Sequence, residues 1–208
     1  IAVADITGNK LTFAPATNAN GTGYANFTFS VKDSAGSFDA APNTLTVNVT
    51  AVNDTPTGTD ATVTTAEDTA VTFTTGNFGF ADVDGDTLTD VRIDALPGAG
   101  TLKLNGVAVT AGQVITTADL AAGQLVFTPA ADANGTGYAR MTFSVRDSTN
   151  LYDSTPNTLT VNITAVNDRP VITANSGSSV AEGGTDTITS AELAAVDVDN
   201  SAAQLRFS

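Results

Sequence analysis

The feature that most constrains the fold of this chain is a long segment that occurs twice. Residues 11–56 read LTFAPATNANGTGYANFTFSVKDSAGSFDAAPNTLTVNVTAVNDTP, and residues 125–170 read LVFTPAADANGTGYARMTFSVRDSTNLYDSTPNTLTVNITAVNDRP. The second copy follows the first by 114 positions without a gap. A unit repeated at this length is big enough to bury its own core, and tandem copies then stack as neighbours. The register extends both ways. Ile1, Asp5 and Ile6 fall on Ile115, Asp119 and Leu120, while SVAEGG around Glu182 echoes TTAEDT around Glu67, and Ala195–Asn200 echo Ala81–Asp86. It divides the chain into the C-terminal part of one repeat (1–56), a complete repeat (57–170) and the N-terminal part of a third (171–208).

Within the complete repeat the strand signals are dense. Ala70–Thr75, Thr87–Ile93, Thr101–Leu104, Val107–Val109, Gln124–Thr128, Gly137–Val145 and Thr158–Thr164 are short, mostly alternating, and rich in β-branched or aromatic residues. Asn105-Gly106 predicts a type I′ hairpin, because both residues tolerate positive φ. The helix-like piece Thr117–Ala122, with Thr117 as its N-cap, is too short to bury a face. About seven strands per repeat predict an all-β fold of tandem Greek-key β-sandwiches, cadherin- or immunoglobulin-like. Met141, Phe143 and Val145, and equally Phe27, Phe29 and Val31, alternate onto one face and are expected in cores. Tyr24 and Tyr138, each behind an NGTG turn, are expected to pack at a sandwich corner with the hydroxyl satisfied locally.

Composition narrows the function. The chain has 22 acidic against 8 basic residues, a formal charge of -14, and its Lys and Arg are scattered singly. Such a surface repels phosphate backbones and anionic lipid, which argues against nucleic-acid and membrane-surface binding and favours a multivalent cation. Cysteine, histidine and tryptophan are absent. Disulfides, thiol nucleophiles, imidazole bases and the usual zinc sites are therefore excluded. There is no apolar run of membrane-spanning length, and Ile1–Thr7 lacks the pattern of a signal peptide.

The acids carry the remaining information. Asp82, Asp84 and Asp86 alternate around Gly85, and Asp197 and Asp199 repeat part of that spacing before Asn200. In an irregular loop such spacing can turn several oxygens inward, a donor set suited to calcium, which accepts 6 to 8 oxygens with loose geometry. A solvated acidic turn is the alternative. The EF-hand reading fails, for want of flanking helices and of a downstream Glu at the required position. The AVND segments place Asn53-Asp54 and Asn167-Asp168 directly after the last strand of a repeat and before Pro56 and Pro170, where one sandwich would meet the next.

With EDT at Glu67, DVDGD at Asp82, NGTGY at Asn134 with its strand ending in Asp147, and the closing AVNDRP, the chain resembles the cadherin-like repeats of very large bacterial surface and adhesin proteins, including the repeats-in-toxin type. The resemblance covers essentially the whole chain, and it implies Ca2+ at each junction. On that mapping the first junction uses Asn53, Asp54, Asp82, Asp84 and Asp147, with the family's DxE position reduced to Asn18 and Asn20. The second uses Glu67, Asp132, Asn167, Asp168, Asp197 and Asp199. The weakened DxE implies fewer or weaker ions than a full cadherin junction. Asp33 and Glu182 would serve other junctions, and Asp86 either joins the cluster or caps its turn.

The resemblance implies a non-enzymatic, structural and adhesive role on the bacterial cell surface, with neighbouring repeats of the same protein as partners. Near-repetition of the acids in successive copies argues against paired-carboxylate catalysis. A polysaccharide-binding sandwich, gripping a glycan or other cell-surface ligand, is the alternative, with the absence of tryptophan against it. The partial copies are expected to leave sheet edges that pair with another chain, giving self-association.

Overall fold

The computed structural model describes residues 1–208. In residues 1–56 a single-turn helix α1 (Val3–Thr7) precedes β1 (Gly21–Phe29) and β2 (Asn43–Val49). Residues 57–170 hold nine strands: β3 (Ala61–Ala66), β4 (Val71–Thr72), β5 (Asp90–Ala95), β6 (Thr101–Leu104), β7 (Val107–Ala108), β8 (Gln113–Thr116), β9 (Leu125–Thr128), β10 (Gly135–Arg146) and β11 (Asn157–Thr164). The helix α2 (Thr117–Ala121) lies between β8 and β9, and β12 (Val171–Asn175) and β13 (Leu193–Val196) follow the last linker.

The nine strands form two sheets, one in the order β3-β11-β10-β5-β8 and the other β4-β9-β6-β7. β3 runs parallel to β11, and the other pairings are antiparallel. The chain crosses repeatedly between the sheets, which face each other across one apolar core of 17 buried residues lying between Phe73 and Ile163. Period-two alternation explains which residues enter it. On β10, Met141, Phe143 and Val145 point inward and are at most 1% exposed, and the Phe143 ring meets Phe78 edge-on at 4.9 Å. Each such side chain contributes about 1.5–3 kcal/mol by leaving water. The opposite face of β10 is also partly closed, since Ser144 is buried and donates to Asp94 Oδ2 at 2.7 Å.

Local chemistry accounts for the connections. Asn105 and Gly106 both have positive φ, as the β6–β7 hairpin requires. The cap of α2 is Thr116 rather than Thr117: its hydroxyl accepts the Asp119 amide while the Asp119 carboxylate accepts the Thr116 amide. The stretch from Ala70 forms a strand only at Val71–Thr72, because the Thr74 amide and hydroxyl both turn to Asn77 Oδ1 and start a 3-10 turn. β3 and β8 add two strands to the seven read from sequence. β3, ATVTTA, is poor in large apolar residues and is held by its parallel ladder to β11, a partner distant in sequence.

Residues 1–56 repeat the local geometry of the complete copy. Ala25↔Val47 and Phe27↔Leu45 pair as do Ala139↔Val161 and Met141↔Leu159. The Ala16 amide donates to the Tyr24 hydroxyl as the Ala130 amide does to Tyr138, so both tyrosines occupy corners. Their packing differs from expectation. Phe27, Phe29 and Val31 are 42%, 42% and 61% exposed, because β1 and β2 form a two-stranded sheet with no second sheet over it.

This contrast predicts unequal costs for the same truncation. Phe143→Ala should lower the unfolding free energy of the central sandwich by about 3–5 kcal/mol, a cavity-forming loss, while Phe29→Ala should change it by less than about 0.5 kcal/mol, as for a surface site. Denaturant unfolding of both variants checks this, and equal losses would contradict the burial described.

Candidate metal centre

The ends of the complete sandwich are set by β10, whose 12 residues span roughly 40 Å at ~3.4 Å per residue. At its far end the chain leaves the sheet through Asp147, which is fully buried. Its Oδ1 accepts the Thr149 amide and hydroxyl and the Leu151 amide at 2.9, 3.0 and 2.8 Å, leaving Oδ2 for the junction. Asp82, Asp86 and Asp147 bring carboxylate oxygens within 4.8 Å of one another. The DVDGD loop curls around Asp82, whose Oδ1 accepts the Asp84 and Asp86 amides, and Ser148 braces Asp86 through its hydroxyl. Asp82 Oδ2 is buried without a hydrogen-bond partner.

The linker of the preceding copy reaches this loop. Asn53 Nδ2 donates to Asp147 Oδ2 at 3.4 Å, and the Asp54 amide donates to Asp84 Oδ2 at 2.7 Å. Asp84 itself stays outside the trio, and Asp54 contributes its amide there rather than its carboxylate. Asn18 and Asn20 line an open cleft with Asp54 and Asp84.

The other end is built where the chain switches sheets between β3 and β4. Asp68 makes that corner with φ 57°, and the neighbouring Glu67 is 4% exposed. The Glu67 carboxylate accepts the Val166 amide and, at 3.2 Å, Asn134 Nδ2, which ties the corner to the linker and to the NGTGY turn. The Asp168 amide donates to Asp199 Oδ2 at 2.6 Å, repeating the Asp54–Asp84 bond. Two clusters result. Glu67, Asp168 and Asp199 bring oxygens within 4.8 Å, and so do Asp68, Asp132 and Asp168. Asp168 belongs to both, and its Oδ2 is buried without a partner.

Of the residues expected from sequence, Asp82 and Asp147 converge at one end, and Glu67, Asp132, Asp168 and Asp199 at the other. Asp197 is not among them: its Oδ1 accepts the Asp199 amide and both the main-chain and side-chain amides of Asn200, closing its own turn. Asn167 Nδ2 donates to the Asp168 carbonyl and touches no carboxylate. Asp68 and Asp86 enter the clusters as well. Their signals were the second residue of EDT and the third acid of DVDGD.

No ion pair offsets this charge: the three in the chain, Lys10–Asp5, Arg92–Asp94 and Arg146–Asp90, lie elsewhere, and Arg169, beside Asp168 in the second linker, forms none. Burial pushes the Asp168 carboxyl up, and Asp132, Asp199, Glu67 and Asp68 push it the same way. Asp147 is the opposite case. Burial raises it, but the Leu151 amide, the Thr149 hydroxyl, Asn53 and the Thr149 amide together hold it below the usual carboxylate range. One end is therefore strained by like charge, the other stabilised in its ionised form. Converging carboxylates with unpartnered oxygens and loose loop geometry fit a hard, oxygen-seeking cation.

No curated relative matches the chain in sequence. Residues 53–164 match the family described as bacterial Ig domain, whose members are structural repeats usually found outside the cell or at its surface. No helix of the chain is long and apolar enough to cross a membrane. The match spans the nine-stranded sandwich and more than half of the sequence: the chain belongs to the bacterial Ig domain family.

Proposed function

We propose that these are extender repeats of a bacterial surface or secreted adhesin, non-enzymatic and cadherin-like in their junctions, stiffened by calcium bound between successive copies. The observation that carries the reading is the convergence of Glu67, Asp168 and Asp199. They come from the sheet-switching corner of one copy, the linker, and the loop after β13 of the next. A cation held by all three would tie two copies and the segment between them into one body. The unpartnered oxygens of Asp82 and Asp168 supply further donors at the two junctions.

The residues divide by role. Glu67, Asp68, Asp132, Asp168 and Asp199 would hold metal at the second junction, and Asp82, Asp86 and Asp147 at the first. The Asp54 and Asp168 amides position the linkers by fastening them to Asp84 and Asp199. The ion would supply only charge and coordination. At calcium tenfold above a dissociation constant of about 10⁻⁴–10⁻³ M, each ion stabilises the folded junction by about 1.4 kcal/mol. Over many repeats that is enough to bias an array toward a straight rod.

Thermal unfolding with small-angle scattering on the same samples tests the reading. Millimolar calcium should raise the melting midpoint and lengthen the particle relative to chelator. An unchanged midpoint and particle length at that concentration would remove calcium from the junctions.

Asp168→Asn gives a sharper sign test. In chelator it relieves repulsion from four neighbouring carboxylates and should raise the midpoint; in calcium it removes a shared ligand and should lower the midpoint relative to the parent. A decrease in both conditions would assign Asp168 a purely structural role.

A further inference from the structure

We infer that the complete sandwich is built to bear tension along the chain, with the parallel ladder between β3 and β11 as its load-bearing joint. The chain enters the sandwich through β3 and leaves it through β11. These strands lie side by side in one sheet, with Ala61–Ala66 opposite Leu159–Thr164 in six consecutive pairs. Because they run parallel, the entry of β3 and the exit of β11 are at opposite ends of the ladder. Tension between the two linkers therefore draws the strands past each other along their own axes, and the evenly spaced bonds of a parallel ladder share that load at the same moment. Were entry and exit at one end, the same tension would open the pairs singly.

Side chains fasten both ends of this ladder. At the entry end the Thr158 amide donates to Asp60 Oδ1 at 2.7 Å. At the exit end the Glu67 amide donates to the Thr164 carbonyl at 3.0 Å, the Thr164 hydroxyl donates to the Thr65 carbonyl at 3.2 Å, and the Val166 amide donates to the Glu67 carboxylate. Neither end is left to fray. Ahead of β3, Thr57 is held by one bridge to Ala81, whose two main-chain bonds are 2.8 and 2.9 Å long, so the longer ladder carries most of the resistance.

The two strands differ in what else holds them. β11 lies between β3 and β10, and its Leu159, Val161 and Ile163 sit in the core at no more than 4% exposure. β3 is the edge strand, β11 is its only partner in the sheet, and none of its residues is fully buried. The joint between them therefore yields before β11 leaves the core, and hydrogen bonds rather than burial set its strength. This accounts for the composition of β3, ATVTTA: β-branched residues suit an extended edge, while resistance to sliding comes from the main chain. The property belongs to the sandwich itself and needs no cation at the junctions.

Optical-tweezers unfolding of the 208-residue chain in chelator tests this. The chain has no cysteine, so an introduced pair supplies the only handles. Thr55→Cys with Arg169→Cys loads the sandwich through its two linkers. Thr55→Cys with Ser154→Cys, just before β11, loads the same two strands from one end. All three sites are exposed, and matching melting midpoints confirm that both variants fold. Forced unfolding follows the unfolding rate rather than equilibrium stability, so the linker pair should unfold at the higher force, by about twofold or more, at equal midpoint. A force across the linkers no higher than that of the one-ended pair would overturn the proposal, and a difference appearing only after calcium is added would overturn it by assigning the resistance to the junctions.

Discussion

Like charges that a fold holds together must be relieved by something, and in this protein that requirement sits at both ends of the sandwich. Two carboxylates roughly 4 Å apart repel by about 4 kcal/mol at an effective dielectric near 20. Water relieves such pairs when side chains can splay apart. Here the freedom to splay is restricted: Glu67 is tied to Val166 and Asn134, Asp147 to its own turn, and Asp168 to Asp199 through its amide. The acids are fixed by bonds that do not neutralise them. No lysine or arginine forms an ion pair with any of them.

What imposes this arrangement is the apolar core. Its two sheets fix where β3, β10 and β11 end, and each cluster grows from those ends: Glu67 beyond β3, Asp147 beyond β10, Asp168 in the linker after β11. The energy that assembles the acids therefore comes from burial of residues such as Phe73, Phe127 and Phe143, all distant from the charge. The sandwich thereby presents two chemically distinct ends, and the linker amides of Asp54 and Asp168 grip the next loop in the same way at both junctions.

The repetition separates sequence from context. Phe29 and Phe143 occupy the same register on strands with the same partner geometry, yet one is 42% exposed and the other fully buried. Hydrogen bonds within a hairpin, such as Gly23 to Asn48 and Gly137 to Asn162, form in both copies because their partners are local. Burial forms only where a second sheet arrives. The covering residues are encoded far along the chain, and the hairpin's own sequence does not announce whether they are present.

The sequence alone determined the repeat length, the all-β class, the Asn105-Gly106 hairpin, the corner tyrosines and most of the acids that converge, because these follow from periodicity, turn chemistry and a pattern stated twice. It left β3 unmarked, since a threonine-rich strand takes its stability from a ladder with β11, nearly 100 residues on. It also did not sort the acids by role. Asp82, Asp84 and Asp86 share one short motif, but only Asp82 and Asp86 face Asp147, while Asp84 turns to the linker. Glu67 and Asp68 are neighbours that enter different clusters, because the backbone switches sheets between them. Which oxygens point toward one another depends on how loops from separated strands are brought to one end of the sandwich, and only the tertiary structure decided that.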